Sequence, residues 1–81
     1  LRRVQFMRKE LNLPVDAFVD VQLFAPEDLR RLLEPLLDYV RSEARARGIT
    51  LVERAEEISG DLVREWEIAE TKVVIGVKRL A

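Results

Sequence analysis

Eighty-one residues, with 14 Lys and Arg against 15 Asp and Glu and neither His nor Cys, limit this chain to one small domain with few chemical tools. Without histidine or cysteine there is no disulfide partner, no thiol chemistry and no ordinary zinc site. A net charge of −1 lacks the basic excess that marks an autonomous nucleic-acid binder.

No apolar run approaches the roughly 20 residues of a membrane span, and no signal-peptide pattern opens the chain, so a soluble, cytoplasmic protein without a membrane partner is expected. A domain this short buries only about 60% of its unfolded surface, so its elements must pack well or lean on a neighbour. Leu1 is not a methionine and a helical pattern already runs through it, so the sequence reads as a piece of a longer protein.

Leu1, Val4, Met7 and Leu11 recur at helical spacing, and Pro14 marks the end of that helix. Arg2, Arg3, Arg8 and Lys9, opposed only by Glu10, make this the most basic stretch; cations near a helix C-terminus also complement its dipole. Val15, Ala17, Val19, Val21 and Leu23 then alternate with other residues and predict a strand, with Phe18 and Phe24 on its opposite face.

A long amphipathic helix is predicted from Pro26 to Arg47, its apolar stripe formed by Leu29, Leu32, Leu33, Leu36, Leu37, Val40 and Ala44. Pro26 suits the first helical position, Glu27 and Asp28 face the positive end of the dipole, and Gly48 supplies a left-handed cap. Pro35 should kink the helix near Arg31 to Glu34. Arg30, Arg31, Arg41 and Arg45 share an arc with Glu34 and Asp38, the pattern of a solvated, salt-bridged face.

Ile49 to Val52 predict a second strand, parallel to the first through a right-handed crossover. After a turn at Glu56 to Asp61, Leu62, Trp66 and Ile68 alternate along a third strand, with Trp66 expected under the long helix. A short connection at Glu70-Thr71 leads to a fourth strand through Val73, Ile75 and Val77. The fold class is α+β: a four-stranded mixed β-sheet in which a βαβ unit is followed by a β-hairpin. The long helix covers one face, and the N-terminal helix packs at the other face or edge. Phe18 and Phe24, with Val52, Val63 and Val74 on non-core faces, are open either to stacking bases or to burial in a second small core under the N-terminal helix.

Catalysis has no parts here. The acidic pairs Glu27-Asp28 and Glu56-Glu57 are adjacent in sequence and do not converge on one atom, and there is no Gly-rich phosphate loop. The run from Arg3 to Leu13 that contains Met7-Arg8-Lys9-Glu10-Leu11, with Glu65-Trp66-Glu67-Ile68 and Val74-Ile75-Gly76-Val77-Lys78-Arg79, resembles the C-terminal tail of an isoleucyl-tRNA synthetase. The absence of cysteine makes it similar to the archaeal and eukaryotic-like branch, since bacterial members often end in a cysteine-ligated zinc module. The family's nucleotide-binding signatures are missing, so no catalytic or cofactor-binding residue carries over.

The resemblance implies a parent isoleucine-tRNA ligase that uses ATP and magnesium, with no cofactor in this fragment. It makes residues 1–13 the end of a helix from a preceding anticodon-binding bundle and residues 14–81 a small C-terminal domain. The implied partners are isoleucine tRNA and the rest of the parent chain. Phosphate contacts need cations, and the candidates are Arg2, Arg3, Arg8, Lys9, Lys72, Lys78 and Arg79. The alternative is a module that only braces the bundle or mediates protein contacts.

Overall fold

The computed structural model describes residues 1–80; Ala81, the last residue of the expected C-terminal domain, lies outside them. Helix α1 (Arg2–Glu10) turns Val4 and Met7 into the core. It ends before Pro14 is reached. The Asn12 N–H donates to the Lys9 carbonyl (2.9 Å) and the Leu13 N–H to the Arg8 carbonyl (3.2 Å), while Asn12 takes φ 59°. That paired closure, with Asn in the left-handed position it tolerates better than most residues, is a standard helix stop.

The sheet contains β1 (Val19–Phe24), β2 (Ala46–Leu51), β3 (Leu62–Ile68) and β4 (Thr71–Arg79) in the order β2-β1-β4-β3. β1 runs parallel to β2 and antiparallel to β4, and β3 pairs antiparallel with β4. The expected α+β fold with a βαβ unit and a hairpin is therefore present. β1 starts four residues later than the alternation predicts, because Pro14 to Ala17 forms a turn closed by the Ala17 N–H on the Pro14 carbonyl (3.1 Å).

Between β1 and β2 run α2 (Glu27–Leu33), a 3₁₀ turn (Glu34–Leu36) and α3 (Leu37–Glu43). Pro35 lies in the 3₁₀ turn, and its missing N–H explains why the α-helical ladder breaks there. Pro26 is the N-cap rather than the first helical residue, with its carbonyl accepting from the Arg30 N–H at 2.9 Å. The helix also ends earlier than expected. Arg45 takes the left-handed turn at φ 53°, and Gly48 sits inside β2, where it pairs with Asp20. Leu29, Leu33 and Leu37 pack on the core, whereas Leu32 is 70% exposed and Leu36 52% exposed, so the apolar stripe is wider than the surface available to it.

Both helical units lie on the sheet face formed by Val19, Val21, Leu23, Val73, Ile75 and Val77. Helix α1 shares that face with the long helix, packing Val4 and Met7 over the inner strand β4 and reaching β3, where Phe6 meets Trp66 edge-on at 5.7 Å. Trp66 is thus packed by α1 and not by the long helix.

The connection from β2 to β3 crosses the other sheet face. Along it, the Ser59 N–H donates to Gln22 Oε1 (2.7 Å) and the Asp61 N–H to the Val77 carbonyl (2.9 Å). A Cβ on Gly76 would lie 2.5 Å from the Ser59 carbonyl oxygen and 2.7 Å from Ile58 Cγ2, so this close crossing requires glycine. The connection, rather than α1, buries Gly76 on the second face; Phe24 is half-buried there and Phe18 remains 40% exposed.

Candidate functional site

The candidate cations divide between two ends of the sheet. Lys72 and Arg79 both belong to β4, yet seven steps at about 3.3 Å separate them by roughly 23 Å. They cannot serve one phosphate.

Arg8 is 6% exposed. Its Nη1 donates to the carbonyls of Ala17 (2.8 Å) and Ala44 (3.1 Å), and its Nη2 to those of Pro14 (2.9 Å) and Val15 (3.2 Å). The fork thereby ties α1 to the turn before β1 and to the end of α3. Burial lowers the guanidinium pKa from its ordinary value, with the Arg45 charge adding to the effect. With its donors satisfied by carbonyls, Arg8 has a structural task in place of the phosphate contact expected from the sequence.

Around this buried fork the surface is basic. Lys9, exposed in the last turn of α1, lines one shallow depression with Arg45, Glu43 and Val15. A second, open depression of about 510 Å³ is lined by Ala17, Phe18, Arg47 and Leu80. The Arg47 guanidinium carbon lies 4.7 Å from the Phe18 ring centroid, within cation–π range. Lys78 pairs with Asp20 across the β1–β4 ladder, and the Arg79 N–H donates to Asp61 Oδ2 at 2.7 Å. Among the described residues, none of Lys9, Arg45, Arg47, Lys78 and Arg79 forms an ion pair.

Arg45 and Arg47 were not among the candidates. The helical pattern assigned them to the end of the long helix, whereas the chain has already turned into β2. The Val19–Ala46 and Asp20–Gly48 pairings leave Arg47 as the extra residue of a bulge, a device that re-aims a side chain.

The opposite end is more self-contained. Arg3 places its guanidinium carbon 5.9 Å from the Trp66 ring, and Phe6, half exposed, meets the same ring edge-on. Arg2 is exposed beside them and Lys72 Nζ lies 3.5 Å from Glu65 Oε2. Glu10 holds Arg64 in an ion pair farther along α1. On the long helix Arg31 pairs with Glu27 at 3.0 Å and Arg41 with Asp38 at 3.7 Å, and Arg30 Nη2 donates to the Val52 carbonyl at 2.9 Å.

No family model matches the chain. Individual proteins do. The isoleucine–tRNA ligase of Sulfolobus acidocaldarius is 35% identical over 79 residues, 98% of this chain and 7% of the ligase. This chain is homologous to a segment of the isoleucine–tRNA ligases. The ligase of Archaeoglobus fulgidus is 40% identical over 80 residues, 99% of the chain and 7% of that protein. That of Saccharolobus solfataricus is 33% identical over 79 residues, 98% of the chain and 8% of the ligase. The chain thus spans less than a tenth of the length of these relatives. No helix among the described residues is long and apolar enough to cross a membrane.

Proposed function

We propose that the chain is the C-terminal domain of an isoleucine–tRNA ligase and that it contacts the anticodon arm of isoleucine tRNA, while ATP, magnesium and aminoacylation belong to other parts of the parent enzyme. The observation that carries this reading is the convergence of Lys9, Arg45, Arg47, Lys78 and Arg79 around one end of the sheet with no carboxylate partner, in a chain homologous to such ligases. Uncommitted cations suit phosphates, and a half-exposed aromatic ring suits an unpaired base. The near-neutral total charge does not oppose this, because several surface bases elsewhere are already matched in ion pairs, whereas among the described residues these five are not.

Replacing Lys9, Lys78 and Arg79 together by alanine in the intact ligase tests the reading. The expected result is a raised KM for tRNA with unchanged ATP–pyrophosphate exchange. Binding should also lose roughly 0.7 to 0.9 of salt slope per lost phosphate contact. An unchanged KM and salt slope would leave the domain as a brace for the rest of the enzyme.

A further inference from the structure

We infer that Phe18 and Arg47 form a stacking site for one unpaired nucleobase of the bound RNA, an assignment that rests on the tRNA-contacting reading above. Phe18 lies just before β1, on the face opposite buried Val19, and its carbonyl accepts from the Leu80 N–H at 3.2 Å, which fixes the backbone beside β4. Buried Phe is the ordinary case for a sheet protein, yet this ring is 40% exposed. The helix that could have covered it packs on the other sheet face, and the β2–β3 connection crosses at Gly76, four residues along β4 from Leu80. The ring is instead capped by the bulge residue Arg47 at 4.7 Å. An arginine plane beside an aromatic ring presents two flat, sequence-tolerant surfaces on which a splayed-out base can stack.

The surroundings select RNA over an apolar peptide or a second copy of the chain. The depression is framed by Arg47, with Arg45 just upstream in the turn and Lys78 and Arg79 at the end of β4, and its apolar lining is confined to Ala17, Phe18 and Leu80. Asp16 and Asp20 lie equally near Phe18 in sequence, Asp20 pairs with Lys78 across the ladder and Asp61 accepts from the Arg79 N–H, yet among the described residues none of the three forms an ion pair with the cations of this end. Phosphates flanking one stacked base would meet the guanidinium of Arg47 and the unpaired cations at the end of β4. The bulge makes the site possible. A regular β2 would carry Arg47 in register with β1, whereas the extra residue frees it to lie over Phe18.

The test uses the intact ligase and isoleucine tRNA carrying 2-aminopurine at its single-stranded positions, one at a time. One labelled position is expected to change fluorescence on binding the wild-type enzyme, to keep that response in Phe18→Trp, and to lose it in Phe18→Leu, a variant that preserves apolar bulk and is checked for an unchanged melting midpoint. Affinity in Phe18→Leu should fall within about 5- to 150-fold, the range for removing one stacked aromatic, with the salt slope unaltered. Wild-type affinity and fluorescence in Phe18→Leu would overturn the assignment. If the triple variant Lys9→Ala, Lys78→Ala, Arg79→Ala still weakens binding in that case, RNA contact stands without the stack. If the triple variant also binds normally, both readings fall together.

Discussion

The two ends of the sheet each place an aromatic ring next to an arginine, and they use the pair differently. At the hairpin end Arg3 lies 5.9 Å from Trp66 beside α1, with a half-exposed Phe6 edge-on to the indole and Lys72 matched by Glu65. At the other end Arg47 lies 4.7 Å from a Phe18 that no helix covers, beside cations without carboxylate partners. The same side-chain chemistry serves packing in the first case and leaves a charged, open surface in the second. What separates them is that, among the described residues, α1 lies against Trp66 while no helix covers Phe18, and that Lys72 is held in an ion pair while Lys78 is not.

The open end is also the more tightly anchored, which can be broken most severely at Arg8. Arg8→Ala would leave the carbonyls of Pro14, Val15, Ala17 and Ala44 without their donor. The expected loss is on the order of 3 kcal/mol, the scale for abandoning a buried polar network, read as a lowered urea midpoint. For a chain of this length that is a large share of a total stability of roughly 4 to 12 kcal/mol. Arg8→Lys keeps the charge but not the fork, and should fall between wild type and alanine.

Gly76→Ala should come next. The added Cβ would meet Ser59 backbone at 2.5 Å and force the β2–β3 connection off the sheet, a clash expected to cost about 2 kcal/mol in thermal or urea unfolding. The hairpin offers a smaller change of the opposite sign. Ala69 and Glu70 both have positive φ, 52° and 62°, in a two-residue turn whose geometry favours Asn-Gly. Glu70→Gly is expected to stabilise the domain by roughly 0.5 to 1 kcal/mol, raising the melting midpoint and leaving the Phe18 end unchanged.

The reach of the sequence follows the same division. Regular alternation and helical spacing carried the sheet, the parallel crossover and the Pro35 break, because burial of one face dictates those patterns. The junctions were hidden. Gly48 looks like a cap, but Arg45 accepts the left-handed turn, so the helix ends earlier, Arg45 leaves its solvated face and Arg47 falls in β2. Val15 continues the alternation of β1, yet the turn held by Arg8 takes it out of the strand. Nothing local in Met7-Arg8-Lys9 distinguishes the arginine that points inward from the lysine beside it. That difference arises only when the turn before β1 and the end of α3 present their carbonyls at one place, a non-local condition that periodicity does not encode.

The smallest expected effect discriminates best between the two ends. Lys72 and Lys78 lie on one strand and are both exposed; Lys72 is held in an ion pair by Glu65, whereas Lys78, across the ladder from Asp20, forms none among the described residues and stands beside the other unpaired cations of the basic rim. If the rim contacts phosphate, Lys78→Ala in the intact ligase removes one counterion-releasing contact. At 0.15 M salt a slope of about 0.9 then corresponds to roughly a fivefold loss of tRNA affinity. Lys72→Ala releases Glu65 and deletes a surface ion pair worth at most about 1 kcal/mol of stability, with tRNA affinity unchanged. Equal losses in the two variants would mean that general attraction governs binding, and the rim would have no special claim. A loss confined to Lys72 would move the interface to the hairpin end, where Arg2 and Arg3 stand beside Trp66.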